Sequence, residues 1–203
     1  AERNLAALER HEADYVVTSC ATCGGALSRF YPLVAGKKNP ELRERLDRLA
    51  KKSIDISVLL QKLGFDPATA TREPSGLPSA GSRSLVPGPR AVTWHDPCHL
   101  RTHGITRQPR ELLKGTPGVE LREMAGADRC CGLGGTFNVY HYDASMGINA
   151  GKTASILRTG ADAAVTGCPG CIMQLSDGLK QQGSALPVVH LVEVLAQGLQ
   201  QSR

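Results

Sequence analysis

Five cysteines in the second half of the 203-residue chain have the spacing of a metal centre. A single cysteine is followed after 31 residues by an adjacent pair, and after 36 more by a Cys-x-x-Cys pair. They are Cys98, Cys130, Cys131, Cys168 and Cys171. Grouped thiolates are the soft ligands that iron–sulfur clusters and zinc take from proteins. The other two cysteines, Cys20 and Cys23, form a second Cys-x-x-Cys pair, and we include them among the candidate cofactor ligands.

The adjacent pair Cys130 and Cys131 favours a cluster over a single ion. Neighbouring residues rarely direct both side chains at one tetrahedral zinc ion, whereas a cluster of several irons spreads its ligand positions widely. A lone Cys-x-x-Cys is weak evidence, since thioredoxin-like dithiols have the same spacing. We therefore expect an iron–sulfur cluster, with a zinc site and dithiol chemistry as the alternatives.

Glycines and histidines flank these cysteines and are candidates for supporting the site. Residues without Cβ let backbone N–H groups approach the sulfurs, and histidines beside a metal more often donate hydrogen bonds to its ligands than bind it. One of the histidines as a ligand stays the alternative. The candidates are Gly132, Gly134, Gly135, His95 and His99.

Composition limits the other function classes. The net charge of +5 comes from basic residues spread along the chain, with few aromatics among them, so we expect no nucleic-acid partner. No apolar run is long enough for a membrane helix. The charged start does not resemble a secretion signal, so we expect a soluble, cytoplasmic protein with reduced cysteines. Attachment to the inner face of the membrane through partners stays an option. Hydrolytic and phosphoryl-transfer motifs are not visible, so we assign no catalytic residue.

The chain contains an internal repeat. Residues 14–27 match residues 162–175 at an offset of 148, with Asp, Val, Thr, both cysteines and Leu coinciding. Helices are predicted before each copy, at 4–13 and 152–161, and after each copy, at 53–64 and 190–199. Only the second copy has the upstream cysteines, so we expect the first unit to be truncated at its N-terminus.

The repeat sets the expected domains. Residues 1–65 are the end of the first cysteine-rich unit, 66–90 are a linker rich in Pro, Gly and Ser, and 91–203 are a complete second unit. A charged helix is predicted over 40–52, with its leucines on one face.

The second unit alternates predicted strands with helices. Strands are expected at 91–95, 119–123, 163–166 and 188–189, and helices at 109–115, 143–158 and 169–182, before the terminal helix. This alternation predicts an α/β fold built from two repeated parallel-sheet units. Because sites form at the carboxyl ends of parallel strands, Cys98 and Cys168 are expected to converge there.

Three segments carry a resemblance to a known family. They are residues 94–101, 129–137 and 166–171. They resemble the CCG-type cysteine-rich domain, which is found in one subunit of heterodisulfide reductase, in the iron–sulfur subunit of glycolate oxidase and in lactate-utilisation proteins. The resemblance covers most of the chain, and the segments look closest to the glycolate and lactate branch.

The resemblance implies a 4Fe-4S cluster, cubane or non-cubane, held by the five cysteines of the second unit, with zinc as a substitute. It implies an electron-transfer subunit that relays electrons from a flavoprotein 2-hydroxy-acid dehydrogenase to a quinone or other carrier, with a ferredoxin-like domain upstream. The isolated chain is not expected to be active alone. A heterodisulfide-reductase-like catalytic subunit and a zinc-stabilised interaction module are the alternatives.

Overall fold

The computed structural model describes residues 1–35, 39–70 and 90–201. The first part of the chain forms a small parallel pair of strands with helices around it. Its elements are α1 (Glu2–Glu9), β1 (Val16–Thr18), α2 (Ala21–Gly25), a π-helical turn (Ala26–Phe30), α3 (Tyr31–Ala35), α4 (Pro40–Lys52), β2 (Ser53–Asp55) and α5 (Ile56–Lys62).

The second part forms a four-stranded sheet covered by helices. Its elements are β3 (Arg90–Trp94), α6 (Cys98–Thr102), α7 (Arg107–Gly115), β4 (Val119–Leu121), α8 (Phe137–Tyr140), α9 (Tyr142–Leu157), β5 (Ala163–Thr166), α10 (Pro169–Gln181), β6 (Val188–His190) and α11 (Leu191–Gln201). All pairs in the sheet are parallel, in the order β4-β3-β5-β6. The predicted mixed α/β fold with parallel sheets is confirmed.

The two sheets share one local arrangement. In the first, β1 pairs with β2 so that Thr18 faces Asp55, and in the second, β5 pairs with β6 so that Thr166 faces His190. Each pair is followed by helices at its carboxyl end, α2 and α5 in the first unit and α10 and α11 in the second. This correspondence agrees with the repeat in the sequence.

The core is built on strand β5. All four of its residues are buried, because helices cover both faces of the sheet. Trp94 from the neighbouring β3 is fully buried in the same cluster. A smaller cluster lies under α4, where Leu46 and Leu49 pack with Leu5 of α1. Helix α4 has the predicted bounds, and the Asn39 side chain caps it by accepting from the backbone N–H of Leu42.

Several predicted boundaries were wrong. The helix expected at 53–64 begins only at Ile56, because the Asp55 carboxylate accepts from the Ser57 N–H and caps the helix there. The three residues before it form strand β2. The helix expected at 4–13 ends at Glu9, and the one at 152–161 is the end of α9 and stops at Leu157.

The predicted linker, 66–90, is described only in part. Its first residues form a turn in which the Asp66 carboxylate accepts from the Ala68 N–H and the Thr69 hydroxyl. Its last residue, Arg90, already belongs to β3. Residues 71–89 lie outside the described part. None of the helices in the described ranges combines the length and apolar character that crossing a bilayer requires.

The two units meet where β1 and β5 end. The backbone N–H of Ala21 donates to the carbonyl of Gly167 at 3.0 Å. The equivalent donor in the repeat would be residue 169, but this is Pro169, which has no N–H. The Nε2–H of His190 donates to the Ser19 carbonyl instead, at 2.6 Å. The Cys-x-x-Cys segments of both units therefore lie side by side.

Candidate metal centre

Strand ends position the cysteines of the second unit. Cys98 opens α6, shortly after β3 ends at Trp94. Cys168 is the N-cap residue of α10, directly after β5, and Cys171 lies in the first turn of that helix. Because β3 and β5 are parallel neighbours, their carboxyl ends share one edge of the sheet. The parallel pairing of β3 with β5 therefore places the segments of Cys98 and Cys168 at the same edge of the sheet, as expected from the sequence.

Cys130 and Cys131 reach the same edge from the loop between β4 and α8. The sulfurs of Cys131 and Cys171 lie 3.6 Å apart. Cys171 and Cys168 are close enough to shift each other's pKa, and so are Cys130 and Cys131. Cys98 is close enough to Cys130 to interact electrostatically with it. The structure thus links all five cysteines in one group, and every one of them is a free thiol.

The thiols of this group differ in burial and in pKa. Cys131, Cys168 and Cys171 are buried, whereas Cys98 and Cys130 are exposed. Interactions with Cys130 and Cys171 hold the pKa of Cys131 below its ordinary value, and the same interactions raise the pKa of Cys130 and of Cys171. Hydrogen bonds from Cys171 and Thr22 lower the pKa of Cys168 to about 5. The buried sulfurs therefore include two that favour the thiolate form, which is the form that binds metal.

Backbone N–H groups also point at the sulfurs. The N–H of Gly132 lies 3.3 Å from the Cys130 sulfur, and the N–H of Leu133 contributes to the lowered pKa of Cys131. Gly132 has φ +96°, and a Cβ there would lie 2.4 Å from the carbonyl oxygen of Ser145. Only glycine fits this close approach. Gly134 and Gly135 lie further along the same loop.

His95 lies against the thiol group. Its side chain is 1% exposed, and neither ring nitrogen has a hydrogen-bond partner in the described part of the chain. One ring nitrogen and the sulfurs of Cys131 and Cys171 lie within 4.8 Å of one another. Burial lowers the pKa of His95, so its ring is neutral. Its position suits either a hydrogen bond to a thiolate or a bond to a metal, the two roles considered from the sequence.

His99 is connected to the cysteines through an intervening side chain. Its Nδ1 lies 3.1 Å from the hydroxyl of Thr22, and that hydroxyl lies 3.5 Å from the Cys168 sulfur. The ring of His99 also packs edge-on against Phe30. His99 is thus connected to Cys168 through a residue of the first unit.

Cys20 and Cys23 lie beside the five-thiol group. The backbone N–H of Cys23 donates to the Cys20 sulfur at 3.4 Å, in the first turn of α2. Burial raises the pKa of Cys20, and the neighbouring Cys168 adds to the effect. Cys23 is exposed.

The donor set fits a thiolate-bound metal or cluster. A tetrahedral metal about 2.3 Å from each sulfur separates two thiolates by about 3.8 Å. The 3.6 Å between Cys131 and Cys171 is close to this value, so both can bind one metal atom with little movement. The unpartnered ring of His95 adds a nitrogen donor to the same place.

The residues that hold the cysteine loop were not predicted from the sequence. Helix α9 has three buried polar side chains at positions i, i+4 and i+7, and each donates to backbone carbonyls of residues 126–132. Ser145 donates to Gly132 at 2.8 Å. Asn149 donates to Cys131 at 3.0 Å. Lys152 donates to Gly126 and Ala127 at 2.7 and 2.8 Å. We call these three residues the α9 polar stripe. Polar residues recurring on one face of a helix between two buried strands are the sequence signal from which this support could have been predicted.

A second support was also missed. Asp96 is 5% exposed and accepts two hydrogen bonds from the Arg110 guanidinium, at 2.7 and 2.8 Å, and one from the Trp94 indole at 2.7 Å. The carboxylate raises the pKa of Arg110 further. This network fixes the end of β3, two residues before Cys98.

Comparison with known proteins identifies similar chains. The model of the family described as CCG, cysteine-rich domain, matches residues 1–28 and 92–176. The chain is 35% identical over 198 residues to the probable glycolate oxidase iron-sulfur subunit of Bacillus subtilis, with 96% of this chain and 41% of that protein covered.

Two further relatives show the range of the matches. A subunit of fumarate reductase (CoM/CoB) from Methanothermobacter marburgensis is 28% identical, with 96% of this chain and 34% of that protein covered. Lactate utilization protein A of an Exiguobacterium strain is 29% identical, with 100% of this chain and 76% of that protein covered. The chain therefore spans less than half the length of the first two relatives.

Proposed function

Because this chain belongs to the CCG cysteine-rich domain family, we propose that it is the cluster-binding part of an iron–sulfur oxidoreductase subunit. The observation that carries the proposal is the linked group of five thiols, with the Cys131 and Cys171 sulfurs 3.6 Å apart. Such a group of free, partly buried thiols, two of them favouring the thiolate form, is what a protein needs to hold an iron–sulfur cluster.

We assign the cofactor as a 4Fe-4S cluster and its ligands as the five cysteines of the second unit. A cubane cluster needs four thiolates, so five favour a non-cubane form. The N–H groups of Gly132 and Leu133 would donate to ligand sulfurs and His95 would support Cys131, each stabilising the negative charge of the site. The buried cysteines keep water from the inner side of the site, and the exposed Cys98 and Cys130 form its outer rim.

The role of the subunit is a relay of electrons. When bound, the cluster accepts and releases single electrons, and the protein sets its position and its potential. We propose that electrons come from a flavoprotein that oxidises a 2-hydroxy acid such as lactate or glycolate. They would leave to a ferredoxin-like domain, a quinone or another carrier. The names of the glycolate oxidase and lactate utilization relatives support a 2-hydroxy acid as the source of the electrons.

The proposal is tested by anaerobic reconstitution of the chain with iron and sulfide. We expect about four iron and four acid-labile sulfide atoms per chain, with an electron paramagnetic resonance signal in one redox state. Cys131→Ser should lose most of the iron, because the thiol that bridges Cys130 and Cys171 is gone. Ser176→Ala is the control: Ser176 is an exposed residue of α10 and no candidate ligand, so its replacement should leave the iron content unchanged.

Two results would redirect the proposal. One zinc per chain with no sulfide and no redox signal would contradict it and favour an interaction module. Reduction of a small disulfide by the reconstituted chain, without any flavoprotein, would favour a catalytic cluster in place of a relay.

A further inference from the structure

Lys152 is a charged group buried beside the thiol group. Its side chain is 3% exposed, and among the described residues no other lysine or arginine is buried to this extent. Its ammonium donates to the carbonyls of Gly126 and Ala127. These bonds satisfy its hydrogens only in part and leave its full positive charge without a formal counter-charge. A dehydrated, unpaired charge is costly, so a nearby negative group is expected.

The carboxylates near Lys152 are already engaged elsewhere or exposed. Asp96 faces it, but both oxygens of Asp96 are bound by Arg110. Asp128 also faces it, and its side chain is 62% exposed and paired with Arg101. The remaining groups within electrostatic reach of Lys152 are the buried sulfurs of Cys131 and Cys171, which both carry negative charge when they bind metal as thiolates. The thiol group is therefore the counter-charge that is both buried and available.

The fold keeps this charge in place. Lys152 is the last residue of the α9 polar stripe, and Asn149, one turn earlier, donates to the Cys131 carbonyl at 3.0 Å. Helix α9 thus fixes the ammonium and the Cys131 backbone together. Burial lowers the pKa of Lys152 to about 8, with Asp96, Asp128 and then the two thiols opposing this shift, so the side chain is still charged at neutral pH.

We propose that Lys152 is the charge-compensating residue of this centre, a fixed positive charge that raises its reduction potential. The inference rests on the proposed function, since it concerns the cluster that the five cysteines would hold. An added electron makes the centre more negative, so a buried cation stabilises the reduced state more than the oxidised state. Lys152 is not a ligand. It acts through the electrostatic field of its charge at the cluster, and its hydrogen bonds to Gly126 and Ala127 position the cysteine loop.

The test is a redox titration of the anaerobically reconstituted full chain, followed by electron paramagnetic resonance. Lys152→Gln keeps a hydrogen-bond donor but removes the charge, and its midpoint potential should shift to a more negative value. Lys152→Arg keeps the charge, and its potential should stay near that of the wild type. The control is Lys180→Gln, which removes an exposed lysine of α10 and should change nothing.

Iron and sulfide contents are measured on each variant before the titration. An iron-loaded Lys152→Gln protein with the wild-type potential would overturn the role of Lys152. Where Lys152→Gln does not fold, Lys152→Arg decides: a folded, loaded Arg variant with a clearly lower potential would show that donor geometry matters more than charge, and would overturn the inference. Absence of sulfide from the wild-type chain would overturn both the proposed function and this inference. A loaded Lys152→Gln protein with the wild-type potential would overturn the inference alone, so the two failures can be told apart.

Discussion

The hydroxyl of Thr22 lies 3.5 Å from the sulfur of Cys168, although the two residues belong to different units and are 146 positions apart. The same hydroxyl lies 3.1 Å from Nδ1 of His99. Thr22 is one of the two middle residues of the first Cys-x-x-Cys segment, so the first unit supplies a hydrogen-bond donor to the cysteine group of the second. The two units are thereby joined at the site itself.

Replacing Thr22 by valine should lower the midpoint potential of a cluster bound at the centre without disturbing the fold. Valine has the shape of threonine but cannot donate to the Cys168 sulfur, and loss of a hydrogen bond to a thiolate makes reduction of a bound cluster less favourable. We expect a lower midpoint potential in Thr22→Val by redox titration. Thr22→Ser keeps the hydroxyl and should retain the wild-type value; equal potentials in all three proteins would mean that this contact does not act on the centre.

Gly132 should tolerate no side chain. An alanine Cβ would lie 2.4 Å from the Ser145 carbonyl at a φ of +96°, so Gly132→Ala must displace the loop or α9. We expect a loss of about 3 kcal/mol or more in the free energy of unfolding, together with poor iron retention. Denaturant unfolding of the reduced chain without added iron measures the first effect, and iron analysis after reconstitution and desalting measures the second.

Gly135→Ala is the matched control for that loop. Gly135 has φ +61°, and a Cβ there would meet no atom within 4 Å. Its replacement should cost only the conformational term of about 1 kcal/mol. Similar losses at both glycines would mean that steric contact with Ser145 is not the reason for glycine at 132.

Asp96→Asn should destabilise the fold strongly. The amide cannot accept both hydrogen bonds from Arg110, whose side chain is only 19% exposed, and the carboxylate that still pairs with the guanidinium is then Glu123, which is 45% exposed. Removing one partner of a buried pair costs about 3 kcal/mol. Asp128→Asn removes a carboxylate that is 62% exposed and 3.4 Å from Arg101, and should cost about 0.5 kcal/mol. Comparable losses from the two variants, in parallel denaturant curves, would contradict a dominant role for the Asp96–Arg110 pair.

His190→Leu should loosen the contact between the units. His190 donates to the Ser19 carbonyl at 2.6 Å, and its Nδ1 accepts from the Val192 N–H at 3.2 Å. Leucine leaves both backbone groups unpaired, which we expect to lower the free energy of unfolding by about 2 kcal/mol. Relative to the wild type, backbone amides of residues 16–23 in His190→Leu should show a larger increase in hydrogen-exchange rate than amides in the rest of the chain. The exposed His141, replaced by leucine in the same way, should give the wild-type pattern; an unchanged pattern in His190→Leu would refute the bridging role.

Much of the fold was predictable because it is encoded locally. The helix over 40–52 follows from its apolar periodicity and from Asn39 and Pro40 at its start, and strand β5 follows from a short apolar run between turn residues. Strand β2 was missed because three residues carry too little periodicity, and only its parallel pairing with β1 defines it.

Residue types and their spacing along the chain were sufficient to predict the α/β class, the repeat and the candidate cysteines. The polar groups that serve those cysteines became visible only once the helices and strands were placed against one another. Thr22, His190 and Lys152 are ordinary residues in the sequence, and they matter because packing brings them to sulfurs or carbonyls far away along the chain. Such contacts depend on how whole elements are arranged in space, and no local pattern of residues records that arrangement.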